Sequence, residues 1–446
     1  MGFALRYKCP LLQYIIVFEE RVPNMEEKFV IQGGNPLKGE VEIRGAKNAA
    51  FPILAASLLT KETCVIDNIP LIEDVFKMIK ILEKTGAEIS WTGKRKIEIN
   101  SSKVSPSKVP FNLVGCFRGS ILLLGGLLAR FNRVKIPSPG GCIIGVRSID
   151  THLDAFKQAG VKISSESEFY RFEKRKQDKS LEIILKEISV TATENMLLFA
   201  AANPKKTVIK IADQDYQVQE LIKVLEKMGV EIKCSGIRKL EVIGKKKLKG
   251  FKHTIMYDPI ETGTFIIATL ATKGQVIIKN AELSFLSLFL KRLKDFGANF
   301  KIIDSKTIKV LPSKKIRIDK VQSLPYPGIH SDLQPELGVL ATQTKGPTMI
   351  HDPLFDGRLR YLNELNRMGA DIIFCDPHRA IVYGPNQLQG IEMPSSDIRA
   401  GAAMIIAGLI AKGTTVIHNI YQIDRGYEKI EERLQKLGAE IKRVKA

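Results

Sequence analysis

A six-fold internal repeat limits what this chain can fold into more than any other feature. An amphipathic stretch ending in Gly, then Ala or Val, then an apolar strand pattern occurs six times. The glycines are Gly86, Gly160, Gly229, Gly297, Gly369 and Gly438, 68 to 74 residues apart. The first copy reads Leu82-Glu83-Lys84-Thr85-Gly86-Ala87-Glu88-Ile89 and the last Leu434-Gln435-Lys436-Leu437-Gly438-Ala439-Glu440-Ile441. Glycine just past a helix end takes the left-handed backbone at little cost, so each one marks a helix stopping and a strand starting. Ahead of each lies a stretch of small apolar residues, as in Ala49 to Leu59, Thr264 to Ala271 and Ala400 to Ala411. A helix that is small and apolar all round is buried against close neighbours. The unit is therefore buried helix, strand, loop, surface helix, strand, and one more strand. A chain of 446 residues exceeds a single core, so the six units divide as three per domain in an α/β fold. A barrel of eight parallel strands needs eight units of about 30 residues each, and the spacing excludes it.

No apolar run approaches the roughly 20 residues of a membrane span. Leu11 to Phe18 is short, flanked by charge and lacks a small-residue cleavage site, so it does not read as a signal peptide. Met25 precedes the strand pattern Phe29-Val30-Ile31, and residues 1–27 read as an extension, with the start expected at Met25. Cysteines at 9, 64, 116, 142, 234 and 375 show neither CxxC nor regular spacing, which excludes a zinc motif or disulfide framework and fits a reduced, cytoplasmic setting. The six histidines show no ligand spacing, so neither metal nor cofactor is expected. The net charge of +20 calls for an anionic partner. Lysine runs such as Lys245-Lys246-Lys247 lack interleaved aromatics, and read as solvated turns rather than a nucleic-acid surface.

Three segments carry candidate chemistry. Ser138-Pro139-Gly140-Gly141-Cys142-Ile143-Ile144-Gly145-Val146-Arg147-Ser148-Ile149-Asp150 is a loop by its proline and glycines. It presents one thiol and one planar cation suited to phosphate or carboxylate. Taken alone, an inert structural cysteine is the commoner outcome. Phe29 to Arg44 reads as a hairpin around Gly33-Gly34-Asn35-Pro36, and leads into Gly45-Ala46-Lys47-Asn48 at the mouth of the first buried helix. Helix N-termini favour anions, although an ordinary solvated lysine is the bland alternative. The third segment is Tyr421-Gln422-Ile423-Asp424-Arg425-Gly426-Tyr427-Glu428.

Together, Lys38 to Leu54, Pro139 to Asp150 and Tyr421 to Glu428 resemble the UDP-N-acetylglucosamine 1-carboxyvinyltransferase family of enolpyruvyl transferases, over about Phe29 to Val444. The resemblance implies two inside-out α/β barrels, each with three parallel helices inside and sheets outside. The N-terminal domain would span 45–256 with the catalytic loop 138–150, and the C-terminal domain 28–44 plus 257–446. The implied reaction is enolpyruvyl transfer from phosphoenolpyruvate to the 3-hydroxyl of UDP-N-acetylglucosamine, the first committed step of peptidoglycan synthesis, by a cytoplasmic monomer without membrane or nucleic-acid partners. Implied catalytic residues are Cys142 as general acid, Asp332 at the sugar hydroxyl, Lys47 and Arg425. Phosphoenolpyruvate would meet Lys47, Asn48, Arg147, Arg399 and Arg425. The sugar nucleotide would meet Arg118, Arg147, Ser148, Ile149, Asp150, Thr151, Glu187, Ile188, Ser189, Val190, Asp332 and Leu354. Departures stand at Thr191, where the family usually has Gly, at Gly115-Cys116-Phe117, and at His330-Ser331, where Pro-Thr is commoner.

Other readings remain open on the residues themselves. Asp332 is equally a helix N-cap, and Arg399 and Arg425 are equally surface ion-pair partners, with Asp424 beside Arg425. The 3-phosphoshikimate 1-carboxyvinyltransferases share the expected fold but lack the cysteine loop. A basic nucleic-acid-binding protein is the alternative from another class, and a non-catalytic descendant of the fold is the third.

Overall fold

The computed structural model describes residues 27–137, 140, 148–166, 169–174 and 179–445. Short turns aside, its helices are α1 (Lys47–Ala56), α2 (Glu73–Thr85), α3 (Leu122–Arg130), α4 (Asp150–Gln158), α5 (Val190–Ala200) and α6 (Tyr216–Lys227). They continue with α7 (Pro259–Ala271), α8 (Ser287–Asp295), α9 (Gln334–Ala341), α10 (Tyr361–Arg367), α11 (Ile398–Ile410) and α12 (Ile430–Lys436). Odd-numbered helices are the small-residue segments and bury nearly every side chain. Helices α1, α3 and α5 touch one another, and so do α7, α9 and α11. Small residues permit this approach. A Cβ on Gly125 would stand 2.6 Å from the Asn195 carbonyl, and one on Gly126 2.9 Å from that of Ala55. Even-numbered helices are the amphipathic segments, and the glycine of each repeat beyond them has φ between 79° and 109°.

Six sheets carry the strands, five of four strands and one of three among the described residues. The first is typical. Its order is Lys252–Thr254, Cys64–Asp67, Lys96–Asn100, Glu88–Gly93, with the first pair parallel and the others antiparallel. In each four-stranded sheet an antiparallel meander is joined in parallel by one further strand, while the three-stranded sheet of Arg133–Pro137, Phe169–Lys174 and Val161–Ser165 is antiparallel throughout among the described residues.

The expected hairpin over Phe29 to Arg44 is not formed. Strand Glu27–Gln32 lies between Thr414–His418 and Glu440–Lys445, antiparallel to both, while Lys38–Glu42 pairs in parallel with Gln275–Lys279 in another sheet. The Gly33 and Gly34 amides donate to the Gly413 and Leu409 carbonyls, not across a local turn. Alternating apolar residues suit any half-buried sheet, so the local pattern cannot choose the partner. Here the sixth unit lacks its own third strand, and the chain's first strand occupies that place.

Two hydrophobic clusters result. The first runs from Ala46 to Met256, and the second joins Phe29 to Ile43 with Ile260 to Ile441. The two chain crossings between these halves run side by side. Ala46 N–H donates to the Met256 carbonyl at 2.8 Å, and Asp258 N–H to that of Arg44 at 2.9 Å. Among the described residues no helix is long and apolar enough to cross a membrane.

Candidate active site

The crossings deliver Lys47 and Asp258 to the junction of the halves. Asp258 caps α7, its Oδ1 accepting from Ile260 N–H at 2.8 Å, while its Oδ2 accepts from Lys47 N–H at 3.2 Å. One buried carboxylate therefore tends the mouths of two buried helices, one in each half. Burial pushes it above the usual carboxylate range. The Lys47 ammonium reaches the other way, to Asp74 Oδ2 at 3.1 Å, on the first turn of α2. Arg425 meets the same carboxylate from the second half, Nε to Oδ1 at 2.9 Å. Burial disfavours the Asp74 anion, but Lys47 and Arg425 overcome it and hold the group below its ordinary pKa.

Asp332 is gripped by two guanidiniums. Arg358 Nη2 donates to Oδ1 at 3.0 Å and Arg399 Nε to Oδ2 at 3.1 Å. Burial opposes ionisation there too, yet Arg399, His330, Arg358 and Lys47 keep the carboxylate far below its usual range. The N-cap alternative is overturned: this side chain caps no helix, and the amide of Asp332 itself is capped by His330 Nδ1 at 3.0 Å. Surface pairing is likewise excluded for Arg399 and Arg425, which are 4% and 6% exposed; Asp424 instead pairs with Arg443. Arg399 Nη1 is buried with no hydrogen-bond partner among the described residues, and the guanidinium lies over the Tyr427 ring, 5.2 Å from its centroid. Asn48 stands half-buried beside Lys47.

A second group gathers within the first half. Arg118, on the short turn before α3, donates through Nη2 to the Ser148 carbonyl at 2.6 Å. Ser148 Oγ accepts from Asp150 N–H, which follows Ile149 at the start of α4. Thr151 Oγ1 donates to Glu187 Oε1 at 3.0 Å, tying α4 to the segment Glu187, Ile188, Ser189, Val190 that opens α5. Ser189 Oγ caps α5 by accepting from Ala192 N–H. Thr191 has a partner here: its hydroxyl lies 3.1 Å from His152 Nε2, whose Nδ1 meets Asn195 Nδ2 at 3.0 Å. Burial, aided by Arg118, pushes His152 down to about 3, so the ring is neutral and donates to Thr191. Leu354 is 39% exposed, its amide held by Asp352 Oδ1. Cys142 and Arg147 lie outside the described residues.

Several contributors escape sequence reasoning. Asp74, Asp258 and Arg358 carry no motif, and a carboxylate in a helix's first turn is ordinary. Glu428 also joins the halves, accepting from Leu71 N–H at 3.1 Å and pairing with Arg95. Its signal was its place in the 421–428 segment.

The family model described as EPSP synthase (3-phosphoshikimate 1-carboxyvinyltransferase) matches residues 31–434. UDP-N-acetylglucosamine 1-carboxyvinyltransferase of Finegoldia magna is 38% identical over 411 residues, covering 92% of this chain and 96% of its own. That of Treponema denticola is 38% identical over 422 residues, covering 93% and 98%. Among solved structures, the enolpyruvyl transferase NikO from Streptomyces tendae superposes with a TM-score of 0.86 at 24% identity, covering 94% of this chain and 99% of its own. EPSP synthase from Acinetobacter baumannii gives 0.72 at 17%, covering 94% and 100%. At those identities the two structures speak for the fold alone.

Proposed function

This chain belongs to the UDP-N-acetylglucosamine 1-carboxyvinyltransferase family of enolpyruvyl transferases, and on that premise we propose that it transfers the enolpyruvyl group of phosphoenolpyruvate to the 3-hydroxyl of UDP-N-acetylglucosamine and releases phosphate. The observation that carries the reading is the buried charge cluster at the junction of the halves. Lys47, Arg399 and Arg425 face Asp74, Asp258 and Asp332 there, and Arg399 Nη1 has no hydrogen-bond partner among the described residues. Phosphoenolpyruvate brings a phosphate and a carboxylate, and competes with Asp74 for Lys47 and Arg425.

In the addition step the sugar hydroxyl attacks the vinyl carbon bearing phosphate, and a proton goes to the methylene carbon. Cys142 is the proposed donor. Asp332 accepts the hydrogen bond of the hydroxyl and orients it. With both oxygens held by arginines it is a poor proton acceptor at rest, and gains basicity when Arg399 turns part of its charge to the incoming anion. Asp332 takes the hydroxyl proton as the C–O bond forms; elimination then returns a methyl proton to the Cys142 thiolate and expels phosphate, which Lys47 and Arg425 stabilise and which takes up the proton held by Asp332. Arg118, Ser148, Ile149, Asp150, Thr151 and Glu187 to Val190, with Arg147 and Leu354, are the proposed surface for the sugar nucleotide.

The finer architecture is part of the same proposal: six units, three per domain, as two inside-out barrels of 45–256 and 28–44 plus 257–446. So is a place at the start of peptidoglycan synthesis, in the cytoplasm, as a monomer. The test is phosphate release from phosphoenolpyruvate with UDP-N-acetylglucosamine, beside shikimate 3-phosphate. Release with the sugar nucleotide alone is expected. Release with shikimate 3-phosphate alone overturns the acceptor and keeps the chemistry.

A further inference from the structure

Close to Asp332 is a residue that the reaction does not call on. His330 belongs to the second half, two positions before the carboxylate. Its Nδ1 accepts from Asp332 N–H at 3.0 Å, and its Nε2 lies 3.3 Å from Asp215 Oδ2 in the first half. Asp215 is itself fixed: its Oδ1 accepts from Tyr216 N–H at 2.7 Å as it caps α6, and its own N–H donates to Asp213 Oδ1 at 2.7 Å. The pair lies in a crevice between the halves, lined by Tyr216, Phe285, Tyr326 and Leu333. Phe285 lies between the two tyrosines, edge-to-face with Tyr216 at 6.0 Å and tilted against Tyr326 at 5.8 Å. Arg238 of the first half donates to the Tyr326 carbonyl at 2.7 Å.

We propose that His330 is a positioning residue, whose ring bridges the backbone of Asp332 to Asp215 and so couples the placement of the reactive carboxylate to the closure of the two halves. Only the neutral tautomer with its proton on Nε2 serves both contacts, accepting at Nδ1 and donating to Asp215.

The same geometry makes the bridge sensitive to pH. Groups facing the ring are Asp215 from the first half, with Asp213, Glu194 and Arg238 behind it, and Asp332 and Arg399 from the second. Burial pulls the imidazole down, but Asp215 and Asp332 outweigh burial and Arg399 and raise it above its ordinary value. Protonation puts a hydrogen on Nδ1, opposite the Asp332 N–H it had accepted from. Acidification thus strengthens the attraction to Asp215 and releases the amide of Asp332. Since a raised pKa places the change at or above the ordinary imidazole range of about 6.5, the neutral bridge belongs to the alkaline side of that change.

The experiment is an NMR titration of the His330 ring in the full chain, beside kinetics. In Asp215→Asn the ring pKa is expected to fall by half a unit or more, since one carboxylate is gone and the hydrogen-bond acceptor is kept. An unchanged pKa overturns the bridge. His330→Asn keeps a short acceptor for the Asp332 amide and cannot reach Asp215. This variant and Asp215→Ala should each lower kcat/KM about tenfold, as expected for one charge-assisted hydrogen bond. The double variant should be no worse than either, and the acid limb of kcat should flatten in His330→Asn. Additive losses, or an unaltered pH profile, overturn the coupling. The kinetic arm rests on the proposed transfer reaction. The titration does not, and with Asp215→Asn, which keeps the cap of α6, it decides the bridge even where no turnover is found or where Asp215→Ala or His330→Asn fails to fold.

Discussion

Two carboxylates, the buried Asp74 and the half-buried Asp332, are each held by two cations, and their surroundings separate their roles. Asp332 lies beside Arg399, whose Nη1 has no hydrogen-bond partner among the described residues, so in the proposed reaction its partners have an anion to turn to. Replacing it by Asn should leave ligand binding nearly intact and slow turnover by about 10² or more, the usual scale for a positioned acid or base. Single-turnover and binding measurements on Asp332→Asn check this, and near-normal turnover would leave Asp332 an anchor for Arg358 and Arg399. Asp74 neutralises Lys47 and Arg425 instead, and its removal strands both. Asp74→Asn should cost about 3 kcal/mol at neutral pH, the scale for breaking a buried pair. A lowered folded pKa means that the contribution is present above the unfolded carboxyl pKa of about 3.9 and disappears as pH falls through the folded value. The gap between denaturant melts of the two proteins should therefore begin to narrow below about pH 4; a gap unchanged down to about pH 2 contradicts the assignment. Lys47, Arg399 and Arg425 were legible in the sequence because motifs carried them. Asp74, Asp258 and Arg358 were not, since a residue's partner across 351 positions, as between Asp74 and Arg425, leaves no local pattern.

At the scale of elements, the segment Tyr421 to Glu428 acts as a strap from the second half onto the first. Lys77 pairs with Tyr421, Asp74 with Arg425, and Arg95 and the Leu71 amide with Glu428. Its ordered side chains sit at positions 421, 425 and 428, spaced as one face of a helical turn. Glu428→Gln weakens one half-buried anchor of the strap, by about 2 kcal/mol for a hydrogen bond to a charged group. The expected result is a KM for both substrates raised about tenfold with kcat spared, read by steady-state kinetics; a fall in kcat alone would place Glu428 in the chemistry. The repeat glycines were legible because helix capping is local physics: a positive φ at each of the six positions needs only a helix end. Pairing of the first strand was not. Phe29-Val30-Ile31 announces a strand, but the partners at Thr415 to Ile417 and Ile441 to Arg443 lie at the far end of the sequence.

Over the whole molecule, that long-range pairing ties the ends of the chain together and sets how the halves connect. Because Glu27–Gln32 and Lys38–Glu42 build sheets with the second cluster, the chain must cross to the first half at 43–46 and return at 256–260. The two crossings pair as an antiparallel bridge at Gly45 and Tyr257, which makes the connection a narrow two-stranded hinge. Such a hinge permits opening about one axis, while Lys47 and Asp258, immediately beyond it, stay together. The proposed sites of both substrates can then part without dismantling the pair of helix mouths. The first strand is the member whose loss separates these ideas. Deleting residues up to Gln32 removes a central strand and leaves Thr414–His418 and Glu440–Lys445 with facing, unpaired edges. Hydrogen exchange should then show protection lost over both strands and α11, while α1, α3 and α5 keep theirs. Protection lost equally across both clusters would mean that the halves fold as one cooperative unit, and that the hinge is a path of the chain without independent motion.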